Sequence, residues 1–125
     1  MKLRNVFIAG LAGAAVGASA VQILHAQSKA PAYLVAEIDV TNPDLYKEYL
    51  AKGGPLYGQF GGRFLVRGGR LDAFAGEAAK RAVIAVFESL EKAQAFRDSP
   101  AYRELIPVRD QSSKFRAYLA EGLPD

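Results

Sequence analysis

From Ala32 to Val40 the chain alternates, with Leu34, Ala36, Ile38 and Val40 forming one wholly apolar set and Tyr33, Val35, Glu37 and Asp39 the other. That period of two predicts a strand whose apolar face meets helices. A second apolar run, Phe64-Leu65-Val66, is bracketed by Gly61-Gly62 and Gly68-Gly69. Paired glycines permit positive φ, so the run reads as a short central strand entered and left through tight turns. Arg70 to Ala75 reads as a weaker strand or an extension, and Gly76 to Lys80 as a loop. Arg81 to Phe87 is nearly continuous in apolar residues, as expected of an inner strand, and Ile84 is assigned to the core. Ser113 to Ala120 closes the set, alternating Phe115, Ala117 and Leu119 with Lys114, Arg116 and Tyr118.

Helices fill the intervals. Thr41-Asn42-Pro43-Asp44 offers a side-chain cap, a proline for the first turn and an acid where the helix dipole favours one. Leu45, Tyr46, Tyr49 and Leu50 follow at helical spacing, Gly53-Gly54-Pro55 is expected to interrupt the helix, and Leu56 to Phe60 adds a turn. Ser89 caps a second helix that carries Leu90, Ala93 and Phe96 inward. Ser99-Pro100 restarts a helical segment through Tyr102, Leu105 and Ile106, and Pro107 is expected to bend or end it.

The order strand, helix, strand, strand, helix, strand is the split β-α-β arrangement of ferredoxin-like α+β domains, with both helices on one face of a four-stranded antiparallel sheet. The other face would carry Tyr33, Val35, Tyr118 and apolar residues of the central strands. Such a face is poorly suited to water, and a two-fold partner is its simplest cover, so a homodimer is expected.

Charge changes the picture at the N-terminus. The formal charge is +3, but Lys2 and Arg4 sit in a leader-like pattern: Asn5 to Leu24 has no charged residue, and the first acid of the chain is Glu37. A charged start, an apolar stretch and the candidate cleavage sites Ala18-Ser19-Ala20 and Leu24-His25-Ala26 predict a signal segment over residues 1–26. The organisation expected is then signal or anchor at 1–26, linker at 27–31 and domain at 32–122. Export, to a periplasm, is preferred over an inner-membrane anchor because the many Gly and Ala make the stretch only mildly hydrophobic; the domain would meet the membrane only through this segment if uncleaved. Without Lys2 and Arg4 the chain has 14 basic against 13 acidic residues. That balance leaves no basic footprint for nucleic acid.

Absences limit the chemistry. The chain has no Cys, and its one His is His25. Disulfides, thiolate nucleophiles, imidazole bases and Cys or His metal ligands are therefore missing from the domain, and neither a metal site nor a cofactor is expected. Asp, Glu, Tyr, Ser, Lys and Arg remain.

Three blocks together, AYLVAEIDVTNPDLYKEY, GGRFLVRGG and AFRDSPAYRELIPVRDQSSKFR, resemble the family catalogued as domain of unknown function 1330, over Ala32 to Gly122. The resemblance implies a ferredoxin-like, dimeric α+β barrel, similar in shape to antibiotic-biosynthesis-type monooxygenases. It implies no activity. With the leader in front of it, the chain is expected to be an exported version.

Candidate chemistry rests on few side chains. Asp39, at the end of the first strand, is the candidate proton acceptor, or else solvates the strand end. Arg67 precedes two glycines that would let a ligand approach the backbone. Arg109, beyond Pro107, can clamp a carboxylate or pair with Asp39 or Asp110. Tyr102 is a ligand contact or a core aromatic, as is Tyr46. Ser99 reads as a helix cap. Three functions follow: a small-molecule-binding domain for an organic acid, with Arg67, Tyr102, Arg109 and Asp39 around an apolar body; a cofactor-free oxygenase or isomerase using Asp39 as base; and a non-catalytic dimeric module.

Overall fold

The computed structural model describes residues 30–125. The segment expected to be signal or anchor, and most of the linker, lie outside those residues. Four strands, β1 (Ala32–Val40), β2 (Arg63–Arg67), β3 (Arg81–Phe87) and β4 (Ser113–Glu121), form one antiparallel sheet in the order β2-β3-β1-β4. Four helices, α1 (Pro43–Gln59), α2 (Leu90–Asp98), α3 (Pro100–Arg103) and α4 (Ile106–Ser112), connect them. This is the ferredoxin-like α+β fold, with β3 and β1 inside the sheet.

The core lies between the sheet and the helices. Ala32, Leu34, Ala36 and Ile38 of β1 and Val83, Ala85 and Phe87 of β3 are buried, and Phe96 of α2 packs on Tyr57, Phe87 and Tyr102 with ring centroids 4.4, 5.5 and 4.9 Å apart. Ile84, by contrast, is on the outer face, opposite Val35 and Val66. The alternation that buries Val83 and Ala85 puts Ile84 on the other side, so an apolar run alone could not assign it.

Cross-strand register makes the outer face a continuous apolar row, Val66–Ile84–Val35–Tyr118, running through all four strands. Beside it runs Val86–Tyr33–Ala120, and on the other flank Glu37 and Arg116 form an ion pair.

Three local expectations are corrected. Gly53-Gly54-Pro55 does not interrupt α1, which runs unbroken across them. Gly54 is a notch instead, where a side chain would meet the Arg67 guanidinium at 2.9 Å, while one at Gly53 would make ordinary contact with Leu105. Arg70 to Ala75 forms no strand, since only Leu71 is even half-buried there and the segment has no face to cover. Pro107 does not end a helix but sits in the first turn of α4, where its missing N–H is not needed. The caps are as read: Asn42 Oδ1 accepts from Leu45 N at 3.2 Å, and Ser89 Oγ accepts from Lys92 N at 3.3 Å.

Candidate functional site

Two neighbouring recesses open between the sheet and the helices. The first is roofed by α1, whose Tyr46, Tyr49, Gly53 and Tyr57 recur at helical spacing on the inward stripe. Ala36 and Val83 form its floor. Its enclosed part holds little more than a water, about 20 Å³, within a wider solvent-open recess of about 360 Å³. Two cations enter it.

Arg67 arrives there because β2 carries a bulge. Phe64 pairs with Ala85 and Val66 with Ile84, which leaves Leu65 as the extra residue. Phe64 and Arg67, three apart in sequence, therefore share the inner face, and the guanidinium lies 4.3 Å from the ring centroid. Arg81 opens β3 on the same side and lies over Tyr46 at 5.9 Å. Its Nε is buried without a hydrogen-bond partner. Gly68, held at φ 72°, leaves the room that the Arg81 guanidinium occupies. No carboxylate lines this recess. Burial raises the Tyr46 pKa, against the opposing charge and hydrogen bonding of Arg81.

The second recess, about 140 Å³, lies between β4 and the helices α2 to α4. Leu34, Phe96, Phe115 and Leu119 make it apolar, and Tyr102 and Arg109 are polar groups within it. Ser99 sets Tyr102 in place: its Oγ donates to Phe96 O at 2.8 Å and accepts from Tyr102 N at 3.2 Å. Arg109 Nη1 donates to the Tyr102 hydroxyl at 3.3 Å, Nε donates to Asp110 Oδ1 at 2.9 Å, and the guanidinium covers Phe115 at 4.7 Å. Burial opposes the charge of Arg109, but the bonds to Asp110 and Tyr102 outweigh it and its pKa is raised. The Tyr102 and Tyr49 hydroxyls are 2.8 Å apart. Burial drives the Tyr49 and Tyr57 pKa values far above the ordinary phenol range, so both stay neutral. Tyr57 and Phe115 line both recesses, and Tyr49, which lines the first, meets the second through Tyr102.

The structure thus brings Tyr102 and Arg109 together, places Arg67 in the adjoining recess, and sets Asp39 apart from all three. Asp39 lies in a surface cleft with Lys80 at 3.5 Å, opposite Lys114 in the strand register. Of the two pairings considered for Arg109, it makes the one with Asp110. Arg81, Tyr49 and Tyr57 were missed by the sequence reading. Alternation from Val83 would have put Arg81 on the helix face, and the 46, 49, 53, 57 spacing would have put both tyrosines on the inward stripe. Among the described residues no group of three or more His, Cys, Asp or Glu is arranged to hold a metal ion.

The family model described as a domain of unknown function, DUF1330, matches residues 31–123. The chain belongs to this family. No curated protein matches it in sequence. Among solved structures, this DUF1330 chain is similar to a protein of unknown function from Rhodopseudomonas palustris, at 20% identity and a TM-score of 0.60, over 84% of this chain and 92% of that one. It is similar to SnoaB, a cofactor-independent oxygenase from Streptomyces nogalater, at 14% identity and a TM-score of 0.53, over 73% and 91% of the two chains. A dimeric ferredoxin-like protein of unknown function from Thermobifida fusca shares 16% identity and a TM-score of 0.51, over 74% and 92%. At these identities the likeness is one of fold.

Proposed function

We propose that this DUF1330 domain is an exported, homodimeric binding domain for a small organic acid, held in the recess beneath α1 by Arg67 and Arg81. The observation that carries the reading is the pair of guanidiniums in an aromatic recess that contains no carboxylate, one of them with a buried Nε lacking any partner. A buried donor left unpaired costs about 1–3 kcal/mol, and a ligand carboxylate would supply the acceptor. The surrounding rings suit a flat apolar body. A ligand larger than a carboxylate group requires the recess to widen beyond its enclosed 20 Å³.

Homodimerisation rests on the apolar row of the outer sheet face, which a second copy would cover. The dimeric ferredoxin-like protein from Thermobifida fusca is consistent with it. Export rests on the N-terminal pattern of Lys2 and Arg4 ahead of an uncharged stretch. Among the described residues no helix is long and apolar enough to cross a membrane.

A cofactor-free oxygenase is the second reading, favoured by the fold shared with SnoaB. Its chemistry requires a base beside the substrate, and neither recess is lined by Asp or Glu. Binding is therefore the preferred reading.

Native mass spectrometry of protein purified from its own host, with calorimetric titration of benzoate, tests the proposal. A dimer lacking the leader mass and carrying a small acid is expected. Arg81→Gln should weaken benzoate by about tenfold or more, the worth of a charge-assisted hydrogen bond. Equal affinity in wild type and Arg81→Gln would end the reading.

A further inference from the structure

The hydroxyl group of Tyr102 stands in an unusual balance of donors and acceptors. Tyr49 and Tyr102 are each at least nine-tenths buried, with relative exposures of 5% and 6%. Their hydroxyls share one link, and Arg109 Nη1 adds a second donor to the Tyr102 oxygen. A phenol brings one proton and two lone pairs. One link between the two hydroxyls uses one of their two protons, so the other has no acceptor among the described residues. When Arg109 and Tyr49 both donate to Tyr102, the free proton is that of Tyr102, which lines the 140 Å³ recess. The donation is then strengthened, because a hydroxyl that accepts two bonds is polarised as a donor.

The surroundings fix what such a donor would meet. Arg109 brings a permanent positive charge, is seated on the face of Phe115, and keeps guanidinium N–H groups beyond those bonded to Asp110 and Tyr102. The other cation lining the recess, Arg97, is held by Asp98 through two bonds of 2.8 and 2.9 Å. The rest of the wall is made of apolar side chains and the phenols Tyr57 and Tyr118, and no carboxylate lines it. A donor and a cation converging in a largely apolar pocket without carboxylates match one negatively charged oxygen on a flat hydrocarbon body.

We infer that Tyr102 and Arg109 form a second binding site, distinct from the Arg67 and Arg81 recess, for the anionic oxygen of a phenolate or enolate, with Tyr49 orienting the Tyr102 hydroxyl. The site does not depend on the organic-acid reading of the first recess. Burial keeps Tyr49 un-ionised, so its hydroxyl retains the proton it can give to Tyr102.

Titration of the full chain with 4-nitrophenol tests this, since its visible phenolate band reports both binding and ionisation. The bound probe should ionise at lower pH than the free probe. Tyr102→Phe and Arg109→Gln should each weaken phenolate binding by about tenfold or more and return the ionisation of the probe toward its free value. Tyr49→Phe should retain most of the binding, because Tyr102 keeps its own proton. Arg81→Gln should leave it unchanged, whatever that change does to benzoate in the first recess. Circular dichroism establishes that each variant is folded. The inference is overturned by absence of binding, by an unshifted ionisation in the bound probe, by folded Tyr102→Phe binding as wild type, by Tyr49→Phe losing as much as Tyr102→Phe, or by loss of binding in Arg81→Gln.

Discussion

Phe64 and Arg67 share one face of β2 although they are three residues apart, because Leu65 stands outside the pairing between them. A regular strand would have turned Arg67 toward the outer face and emptied the recess of one of its two cations. Deleting Leu65 removes the extra residue but keeps both side chains inward, as neighbours two apart. The Leu65 deletion is therefore expected to fold, by circular dichroism, and to keep benzoate affinity within a few-fold of wild type by calorimetry. Lost affinity in a folded variant would show that the twist of the bulge, and not the choice of face, positions Arg67.

Gly68 ties backbone conformation to the same recess. Its φ of 72° is costly for an L side chain, by about 1–2 kcal/mol, and a methyl group there would press on the Arg81 guanidinium. Gly68→Ala should lose at least that much stability in urea unfolding and should weaken benzoate as well. Gly69→Ala, where a methyl group meets nothing within 4 Å, is expected to be close to neutral in both measurements.

The two sheet faces should respond differently to truncation. Phe96, packed among Tyr57, Phe60, Phe87 and Tyr102, is a core ring, and Phe96→Ala should cost about 3–5 kcal/mol. Ile84 lies in the outer apolar row, so Ile84→Lys should act chiefly on association. Sedimentation of a folded Ile84→Lys protein as a monomer, beside a dimeric wild type, is the expected result. A wild-type monomer would remove the account of that face.

Alkali should unfold the domain through its buried phenols. Burial, followed by neighbouring phenols, raises the Tyr49 pKa well above the reference of 10.0, and burial does the same for Tyr57. A folded-state pKa above the unfolded one means that stability is intact below about pH 10 and falls as pH rises beyond it, because only the unfolded chain can release those protons. The urea midpoint should be flat between about pH 7 and 9 and decline above about 10. Phenolate absorbance from the buried rings should appear together with loss of secondary structure.

Much of the fold could be read from the chain because its cues are local. The alternation of β1, the Asn42, Ser89 and Ser99 caps, and the Gly61 and Gly68 turns each act within a few residues of where they occur. The candidate site depended on contacts that cross the sequence. Gly54 looks like a helix breaker until Arg67 is seen lying against it, and Tyr49 looks like one more core ring until Tyr102 meets its hydroxyl. Asp39 carried the right chemistry on the wrong face of the sheet: its neighbour Ile38 pairs with Arg81 and lines the first recess, whereas Asp39 lies in the cleft with Lys80 and Lys114. Face assignment failed at Ile84 because an unbroken apolar run has no period of its own.

The short, interrupted edge formed by β2 has a bearing on how copies of this chain meet. Five residues long, broken at Leu65, ended by glycines at positive φ on both sides and carrying Arg63 and Arg67, it is a poor template for strand addition. Growth of the sheet sideways into open-ended polymers is thereby discouraged at that border. At the β2 border, contact between copies is thereby turned away from the strand edge and toward the apolar outer face of the sheet.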